Sequence, residues 1–323
     1  SVGSGERMRR VANIIAHTLN DAAEAFPIVV VSAMSKVTDQ LLRIAAHIRN
    51  GEQEAYEQEL TALKRRHLDA AEKAVHNRNE QDALRQDLEA AFIALEDDVA
   101  KLRRYLVTCS PDRVTPLDTR ELPSLIAAIA AWGERLSVLL VAACAVDMGL
   151  QAAPVREEII ITGHLSELAH GNGADPLTEE TRANAQAIIS PLIEQRVVPV
   201  VAGFIGCTTS GYITTLGRNG SDYSATVIGA ALDCTGISIY TDVDGVLTAD
   251  PRLVMNVRLL ARLSYAEAAR LSWFGAKVLH PRTLIPIAHR NIPVRVRNTF
   301  RPGNRGTIVG PEDNQKSGAA AIS

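Results

Sequence analysis

The sequence has 323 residues, of which 46% are hydrophobic but only 4% aromatic, and its formal net charge is −3. Such a charge excludes the strongly basic surface typical of nucleic-acid-binding proteins, and we expect no nucleic-acid partner. A core built from Ala, Val, Leu and Ile is typical of helices packed on a parallel sheet.

The cysteines and the longest apolar stretch bear on the compartment. The four cysteines are spread along the chain without a Cys-x-x-Cys pair: Cys109, Cys144, Cys207 and Cys234. This spacing argues against a zinc ribbon or a disulfide framework and favours a reducing, cytoplasmic setting. The apolar residues 125–146 contain the charged residues Glu134 and Arg135, which a bilayer would disfavour. We therefore expect a buried helix there and no membrane partner.

Strand and helix patterns alternate along the chain. An apolar run at 26–34 predicts an interior strand, and a charged amphipathic pattern predicts a helical hairpin or small bundle from about 38 to 106. Residues 123–132 and 134–148 predict apolar helix, interrupted at Gly133. The remaining pattern predicts strands at 156–163, 197–204, 236–243 and 292–299, a hairpin at 206–215, and helices at 176–197 and 263–291. We therefore predict an α/β fold, a three-layer α/β/α sandwich around a mainly parallel sheet with a helical insertion.

A polar loop, TLGRNGSDYSAT at Thr215–Thr226, interrupts the apolar pattern between a predicted strand and a predicted helix. Ser221 and Asp222 stand where a helix N-cap or a first-turn acid belongs. A glycine loop that leads into a helix presents N–H groups and a positive dipole to an anion. The loop therefore favours a phosphate or carboxylate site, while an ordinary glycine-rich helix cap is the alternative.

Three further features carry candidate chemistry. The segment YTDVDGVLTADPR, Tyr240–Arg252, follows a predicted strand; it lacks the twelfth-position acid of a calcium loop, and a nucleotide site is favoured over a plain acidic turn. Glu134 either faces solvent at a helix joint or points inward to receive a cation. Lys277 is a candidate phosphate contact. The histidine spacing does not predict a zinc site.

Five motifs, in this order, resemble the catalytic domain of aspartokinases in the amino acid kinase family: VVVSAMSKVTDQLL, WGERLS, GFIGCTTSGYITTLGRNGSDYSAT, YTDVDGVLTADPR and FGAKVLHPRTL. The resemblance extends from Ser1 to about Val309. It implies an amino acid kinase fold with a catalytic domain at 1–310. The helical insert resembles that of threonine-sensitive aspartokinases and of those fused to homoserine dehydrogenase.

The resemblance also implies an organisation into lobes. Its amino-acid-binding lobe would span 1–195, including the helical insert at about 40–106, and its nucleotide-binding lobe would span 196–310. Residues 311–323 would form a flexible tail, and the regulatory ACT domains of the family would be absent from the 323 residues. On this reading, feedback control by lysine or threonine is not carried by these residues alone.

The resemblance implies that the protein is an enzyme, an aspartate kinase. It would transfer the γ-phosphoryl group of ATP to the side-chain carboxylate of L-aspartate to give 4-phospho-L-aspartate, the first step of lysine, threonine and methionine biosynthesis. ATP and Mg²⁺ would be required, with the Mg²⁺ bound mainly through the nucleotide phosphates and no metal ligands supplied by the chain. A homodimer is also implied, as is a gene product in which ACT and homoserine dehydrogenase domains can follow.

Roles for individual residues follow by resemblance. Arg218 would bind the α-carboxylate of aspartate, and Glu134 and Asp222 would attract its ammonium group. Thr38 and Ser221 would hydrogen-bond near the reacting carboxylate. The residues implied to contact the nucleotide are Asn219, Gly220, Thr241, Asp242, Arg252 and Lys277.

Two departures from the family pattern affect the expected activity. The family begins with a strand and a KFGG sequence whose lysine is a phosphoryl-transfer cation, and this segment does not precede Ser1 here, so an inactive chain is one expectation. A glycine of the family loop is replaced by Asn219, a residue type that tolerates a left-handed backbone. The alternatives are a kinase of acetylglutamate, glutamate or carbamate, and a non-catalytic nucleotide-binding module.

Overall fold

The computed structural model describes residues 2–21, 24–108, 120–163, 173–249, 254–273 and 279–312. The chain forms two compact units, the first ending at Ser221 and the second beginning at Asp222. The predicted lobes divide the chain elsewhere, after residue 195, because they were defined by substrate and nucleotide binding. That functional division stays a prediction.

The first unit combines six helices with six strands among the described residues. Its helices are α1 Gly5–Asn20, α2 Val37–Asn50, α3 Gln53–Ala74, α4 Arg78–Thr108, α5 Glu121–Asp147 and α6 Thr178–Glu194. Its strands are β1 Val29–Val31, β2 Ala152–Pro154, β3 Ile161–Thr162, β4 Val198–Ala202, β5 Ile205–Thr208 and β6 Ile213–Thr215. The predicted helical insert at about 40–106 is formed by α2, α3 and α4.

The second unit continues from the helix that follows the polar loop. In chain order its elements are α7 Gly220–Ala231, β7 Ile237–Thr241, β8 Arg262–Ser264, α8 Tyr265–Trp273, α9 Pro281–Ala288, β9 Val294–Asn298 and β10 Thr307–Gly310. Helix α7 begins two residues before the boundary between the units. A separate apolar core of this unit gathers around buried residues of β9, β10 and α9, including Val294, Val309 and Ile287.

The strands of the described residues pair in three sheets, and most pairs are parallel. In the first unit β4 lies between β1 and β2, parallel to both, and β5 pairs in parallel with β3 and antiparallel with β6. In the second unit the order is β7-β9-β10-β8, and β9 with β10 is the antiparallel pair. The predicted α/β class and mainly parallel pairing are confirmed.

Helix α5 forms the centre of the first unit. It runs unbroken through Gly133, so the helix is continuous and has no joint there. Among the described helices it alone is long and apolar enough to cross a membrane, yet 78% of its most apolar window is buried inside the protein. Because β1, β2, β4 and the helices α1 to α4 pack around it, α5 is a core helix.

The sequence patterns missed the shortest strands. Strands β2, β8 and β10 have three or four residues each and were not predicted. Within the strand predicted at 156–163, Ile161 and Thr162 alone pair, although Ile159 and Ile160 are also buried. Such short strands contain too few residues for an alternating pattern to emerge.

Candidate functional site

A buried carboxylate lies in the middle of α5. The side chain of Glu134 is 3% exposed, and its Oε1 accepts a hydrogen bond of 3.0 Å from the backbone N–H of Ala33. Its Oε2 is also buried but has no hydrogen-bond partner in the described part of the chain. Glu134 therefore points inward, which decides between the two alternatives that the sequence left open.

Burial sets the proton affinity of this carboxyl group. It raises the pKa of Glu134 to about 8, although the N–H of Ala33 favours the ionised form and partly opposes the rise. A buried carboxylate becomes stable when a cation approaches it, because the opposite charge replaces the lost hydration. The unpaired Oε2 therefore fits a ligand with a positively charged donor group.

The other side of the same helical turn is anchored by polar contacts. Trp132 donates its Nε1–H to Asp98 of α4 at 2.8 Å. The Arg135 guanidinium lies over the Trp132 ring, 5.0 Å from its centroid, and forms an ion pair with Glu158. These contacts tie α5 to the helical insert and to the segment before β3, so the turn that carries Glu134 has a fixed orientation.

Thr38 lies in the first turn of α2, the helix that follows β1. Lys36, the N-cap residue of α2, has φ = 64° and ψ = 5°, a left-handed backbone that is uncommon for a residue other than glycine. No side chain caps this end of the helix. The first N–H groups of a helix have no acceptors within the helix, so the start of α2 offers donors beside the Thr38 hydroxyl.

The polar loop forms a tight turn between β6 and α7. Gly217 and Asn219 have left-handed φ values of 77° and 56°. Asn219 thus adopts a left-handed backbone, which asparagine tolerates better than most residues. Helix α7 begins at Gly220, so Ser221 lies in the first helical turn and not at an N-cap. Asp222 is the first-turn acid that the sequence predicted, and burial raises its pKa.

Close backbone contacts hold this loop in place. A Cβ on Gly220 would lie 2.6 Å from the ring of Phe204, and one on Gly203 would lie 2.8 Å from the Cβ of Ser221. A Cβ on Gly173 would lie 2.2 Å from the carbonyl carbon of Leu216, beside the loop. Gly173 was missed in the sequence analysis, because a contact between distant glycines leaves no local pattern. Arg218 is exposed at the tip of the turn.

A second cluster lies at the carboxyl ends of β7 and β9, which are parallel neighbours. Thr241 ends β7, its hydroxyl donates to Asp242 Oδ1 at 3.2 Å, and its carbonyl accepts the N–H and hydroxyl of Thr299 at 2.8 and 3.0 Å. Ligands bind α/β proteins at the carboxyl ends of parallel strands. The position of Thr241 and Asp242 therefore suits the predicted nucleotide contact.

The loop after β7 is held by side chains that the sequence analysis did not single out. Asn298 donates to Asp244 Oδ1 at 2.7 Å, and Arg301 donates to its Oδ2 at 3.1 Å. The signal was present, since the predicted strand at 292–299 ends in polar residues just as β7 does. The rule that drew attention to Asp242 would have drawn attention to Asn298 as well.

The structure assembles some of the predicted site and leaves other residues undescribed. It groups Arg218, Asn219, Gly220 and Ser221 into one turn of the first unit, the unit that also contains Glu134 and Thr38. Arg252 and Lys277 lie outside the described residues. Among those described, no group of three or more His, Cys, Asp or Glu side chains is arranged to hold a metal ion. A shared pocket for Arg218, Glu134 and Asp222 stays a prediction.

A family model described as the amino acid kinase family matches residues 1–298. The chain belongs to the amino acid kinase family. The predicted α/β fold of amino acid kinases is thereby confirmed, and Glu134 and the loop at Arg218 lie within the matched residues.

This amino acid kinase is similar to several aspartokinases. It is 34% identical over 318 residues to the bifunctional aspartokinase/homoserine dehydrogenase 2, chloroplastic, of Arabidopsis thaliana, covering 97% of this chain and 32% of the relative. Aspartokinase 1, chloroplastic, of the same plant is 33% identical over 312 residues, covering 96% of this chain and 50% of the relative. The chain thus spans about a third to a half of the length of these relatives. The predicted resemblance to aspartokinases is confirmed.

A solved structure shows the same fold. The Escherichia coli aspartokinase III in complex with aspartate and ADP is 28% identical, with a TM-score of 0.79, and the match covers 98% of this chain and 63% of that one. The same bacterial enzyme in complex with lysine and aspartate gives a TM-score of 0.78 at 29% identity, covering 98% of this chain and 64% of that one. The fold similarity to an aspartokinase therefore extends over nearly the whole of this chain.

Proposed function

We propose that this chain is the kinase domain of an aspartate kinase, which transfers the γ-phosphoryl group of ATP to the side-chain carboxylate of L-aspartate. The observation that carries the proposal is the buried Glu134, whose Oε2 has no hydrogen-bond partner in the described part of the chain. An ammonium group supplies a positive charge and N–H donors to that oxygen. The similarity to aspartokinases supports the same substrate.

Binding of an amino acid at Glu134 changes the number of protons bound to the protein. With a pKa of about 8, the carboxyl group keeps its proton at pH 7 in the free protein. A neighbouring ammonium group favours the ionised form and lowers this pKa. Binding of aspartate near neutral pH therefore releases a proton from Glu134, which calorimetry in buffers of different ionisation enthalpy measures.

The turn after β6 supplies the other contacts to the amino acid. Arg218 offers a planar guanidinium that can bind the α-carboxylate through two parallel hydrogen bonds. Asp222 provides the second acid for the ammonium group. The hydroxyl groups of Thr38 and Ser221 donate hydrogen bonds near the reacting carboxylate. These roles are supported by the match of the residues to the aspartokinase motifs.

For this phosphoryl transfer the protein mainly has to position the two substrates and stabilise their negative charges. The acceptor carboxylate is already ionised at neutral pH, so no general base is needed. Two anions must be brought together, and the N–H groups of Asn219 and Gly220 at the start of α7, with the helix dipole, offset their repulsion. Thr241 and Asp242 line the nucleotide site, with Arg252 and Lys277 as further proposed contacts. Magnesium, held mainly by the nucleotide phosphates, supplies positive charge at the transferred group.

The wider role follows from the substrate. We assign the protein to the biosynthesis of lysine, threonine and methionine, because 4-phospho-L-aspartate is the activated acid from which these amino acids are made. The scattered cysteines, which include no Cys-x-x-Cys pair, support a reducing, cytoplasmic location. A gene product that includes a homoserine dehydrogenase domain is supported by the similarity to bifunctional relatives. We also propose a homodimer and ACT domains, which rest on the resemblance to aspartokinases.

The proposed activity is tested in the full protein that its gene encodes. Acyl phosphates react with hydroxylamine to give a coloured hydroxamate, so the protein is incubated with ATP, Mg²⁺ and hydroxylamine and with one acid at a time. We expect product with L-aspartate and none with acetylglutamate, glutamate or carbamate. Turnover of one of these other acids without turnover of aspartate would contradict the proposal, and so would ATP binding without any turnover.

The role of Glu134 is tested by one substitution. Glu134→Gln keeps the size of the side chain but removes the charge that pairs with the ammonium group. We expect the KM for aspartate to rise at least about tenfold, corresponding to a loss of about 1.4 kcal/mol or more. The matched control is Glu121→Gln, on the exposed first turn of the same helix, which should leave the KM unchanged. An unchanged KM in the Glu134 variant would favour a substrate without a free ammonium group.

A further inference from the structure

Gly133 lies where α5 comes closest to the loop between β1 and α2. A Cβ added at Gly133 would lie 2.8 Å from the Cβ of Ala33 and 3.3 Å from Cγ1 of Val37. Carbon atoms pack best at about 3.5 to 4.0 Å, so a side chain of any size would push this loop away from α5. Alanine is the better helix former, and only this close contact gives glycine an advantage in the interior of α5.

The residue that approaches Gly133 also binds the neighbouring carboxylate. Ala33 contacts Gly133 with its Cβ, and its backbone N–H donates to Glu134 Oε1 at 3.0 Å. The two contacts involve consecutive residues of α5, so a displacement of Ala33 by even a few tenths of an ångström lengthens the hydrogen bond to Glu134.

The displacement would also reach the start of α2. Val37, the first residue of α2, is fully buried, and its Cγ1 is the second atom that a Cβ at Gly133 would approach too closely. Thr38 follows it directly. A shift of this loop therefore also shifts Thr38 relative to Glu134.

Helix α5 is not free to yield in place of the loop. The hydrogen bond from Trp132 to Asp98 and the ion pair of Arg135 with Glu158 hold the turn that contains Gly133 from its other side. The α5 backbone is also packed on several elements of the first unit. The strain of an added methyl group is thus directed onto the loop at Ala33.

We propose that Gly133 is a positioning residue for substrate binding. Because it has no side chain, the loop between β1 and α2 can approach α5 closely enough for the Ala33 N–H to bind Glu134. The same close approach fixes the position of the start of α2 relative to Glu134. The inference rests on the proposed function in one respect, since Glu134 is taken to bind the amino group of the substrate. The residue itself touches no substrate and acts through Ala33 and Glu134.

The test is a substitution with a structural rescue. In Gly133→Ala we expect the KM for aspartate to rise about tenfold or more, while the KM for ATP changes less than about twofold. The double variant Gly133→Ala with Ala33→Gly moves the methyl group from the loop to α5 and keeps the backbone N–H at position 33. It should restore the KM for aspartate to within about threefold of the wild type. The rescue is judged against Ala33→Gly alone, which carries the same loss of the Ala33 methyl group without the added one.

A thermal unfolding series separates this inference from the proposed function. Gly133→Ala should lower the melting temperature by about 3 °C and the double variant should recover it, whatever the substrate is. The inference would be overturned if the change in melting temperature of the double variant equalled the sum of the changes in the two single variants. A KM in Gly133→Ala equal to that of the wild type would overturn it as well. If the wild type phosphorylates another acid, the KM series is measured with that acid; this result would overturn the proposed substrate but not the role of Gly133.

Discussion

The Arg9 guanidinium lies 2.7 Å from the carboxylate of Asp147, whose side chain is only 3% exposed. The second oxygen of this carboxylate accepts the backbone N–H groups of His76 and Asn77 at 3.0 and 2.7 Å. One side chain at the end of α5 thus joins α1 to the connection between α3 and α4. Burial alone would raise the pKa of Asp147, but hydrogen bonds from the Asn77 N–H, Arg9 and the His76 N–H outweigh it, and the pKa is lowered.

Removal of this carboxylate should destabilise the first unit. Asp147→Ala leaves the two N–H groups and Arg9 without their acceptor, and we expect the free energy of unfolding to fall by about 2 to 4 kcal/mol. The measurement is urea unfolding at pH 7. Asp97→Ala, which removes an exposed ion pair with Lys101 on α4, is the control and should change stability little. Equal effects of the two substitutions would refute the special role of Asp147.

His67 should make stability depend on pH in a defined range. Its side chain is fully buried, its Nδ1 donates to the Leu63 carbonyl at 2.8 Å, and burial lowers its pKa to about 4. Below pH 6.5 His67 is protonated in the unfolded chain, whereas in the folded chain it stays neutral until about pH 4. We therefore expect the free energy of unfolding to fall as the pH falls from 6.5 to 4, by up to about 3 kcal/mol.

Two variants isolate this contribution from the other titrating groups. His67→Met keeps a buried side chain of similar bulk but removes the titration, so its stability should fall less steeply between pH 6.5 and 4. His17→Gln, at an exposed position near the end of α1, should keep the slope of the wild type. The measurement is denaturant unfolding at closely spaced pH values. A slope that is the same in all three proteins would show that His67 is accessible to protons in the folded state.

Glu134 should lower the free energy of unfolding near neutral pH, the same range in which it is proposed to bind the substrate. The unfolded chain ionises this group near pH 4.5, whereas the folded chain keeps its proton until about pH 8. The cost of burying Glu134 therefore grows as the pH rises from 4.5 to 8. Without ligand, we expect Glu134→Gln to be more stable than the wild type at pH 7.5 by about 1 to 3 kcal/mol.

The pH dependence provides the internal control for this prediction. At pH 5 the folded wild type has a protonated Glu134, so the stability advantage of Glu134→Gln should nearly vanish. Saturating aspartate should reverse the order at pH 7.5, because the ligand stabilises the wild type more strongly. Melting curves with and without aspartate measure both effects. A variant that is less stable than the wild type at pH 7.5 without ligand would contradict the argument.

The contact between Trp132 and Asp98 should contribute measurably to the attachment of α4 to α5. Trp132→Phe removes the Nε1–H but keeps an aromatic ring beside Arg135. The hydrogen bond ends on a charged acceptor, so we expect a loss of about 1 to 2 kcal/mol in the free energy of unfolding. Hydrogen exchange should increase in α4 around Asp98. Exchange that changes only in elements remote from α4 would disagree with this expectation.

How much the sequence could predict depended on how local each feature is. The helical insert and the burial of α5 follow from residue spacing, and the polar loop before α7 was apparent from its glycines and Asp222. The direction of Glu134 could not be predicted, because a Gly-Glu-Arg sequence fits either a bend or a straight helix. It is decided by Ala33, a hundred residues earlier in the chain, which approaches α5 only in the folded protein.

The apolar character of α5 has a consequence during synthesis. Its 27 residues leave the ribosome before Ala202, the last residue of the strand β4 that covers part of it. During that interval the nascent chain exposes one of its most hydrophobic segments, which favours chaperone binding and aggregation. Expression yield should therefore respond to synthesis rate and to chaperone supply, even in variants whose finished fold is as stable as the wild type.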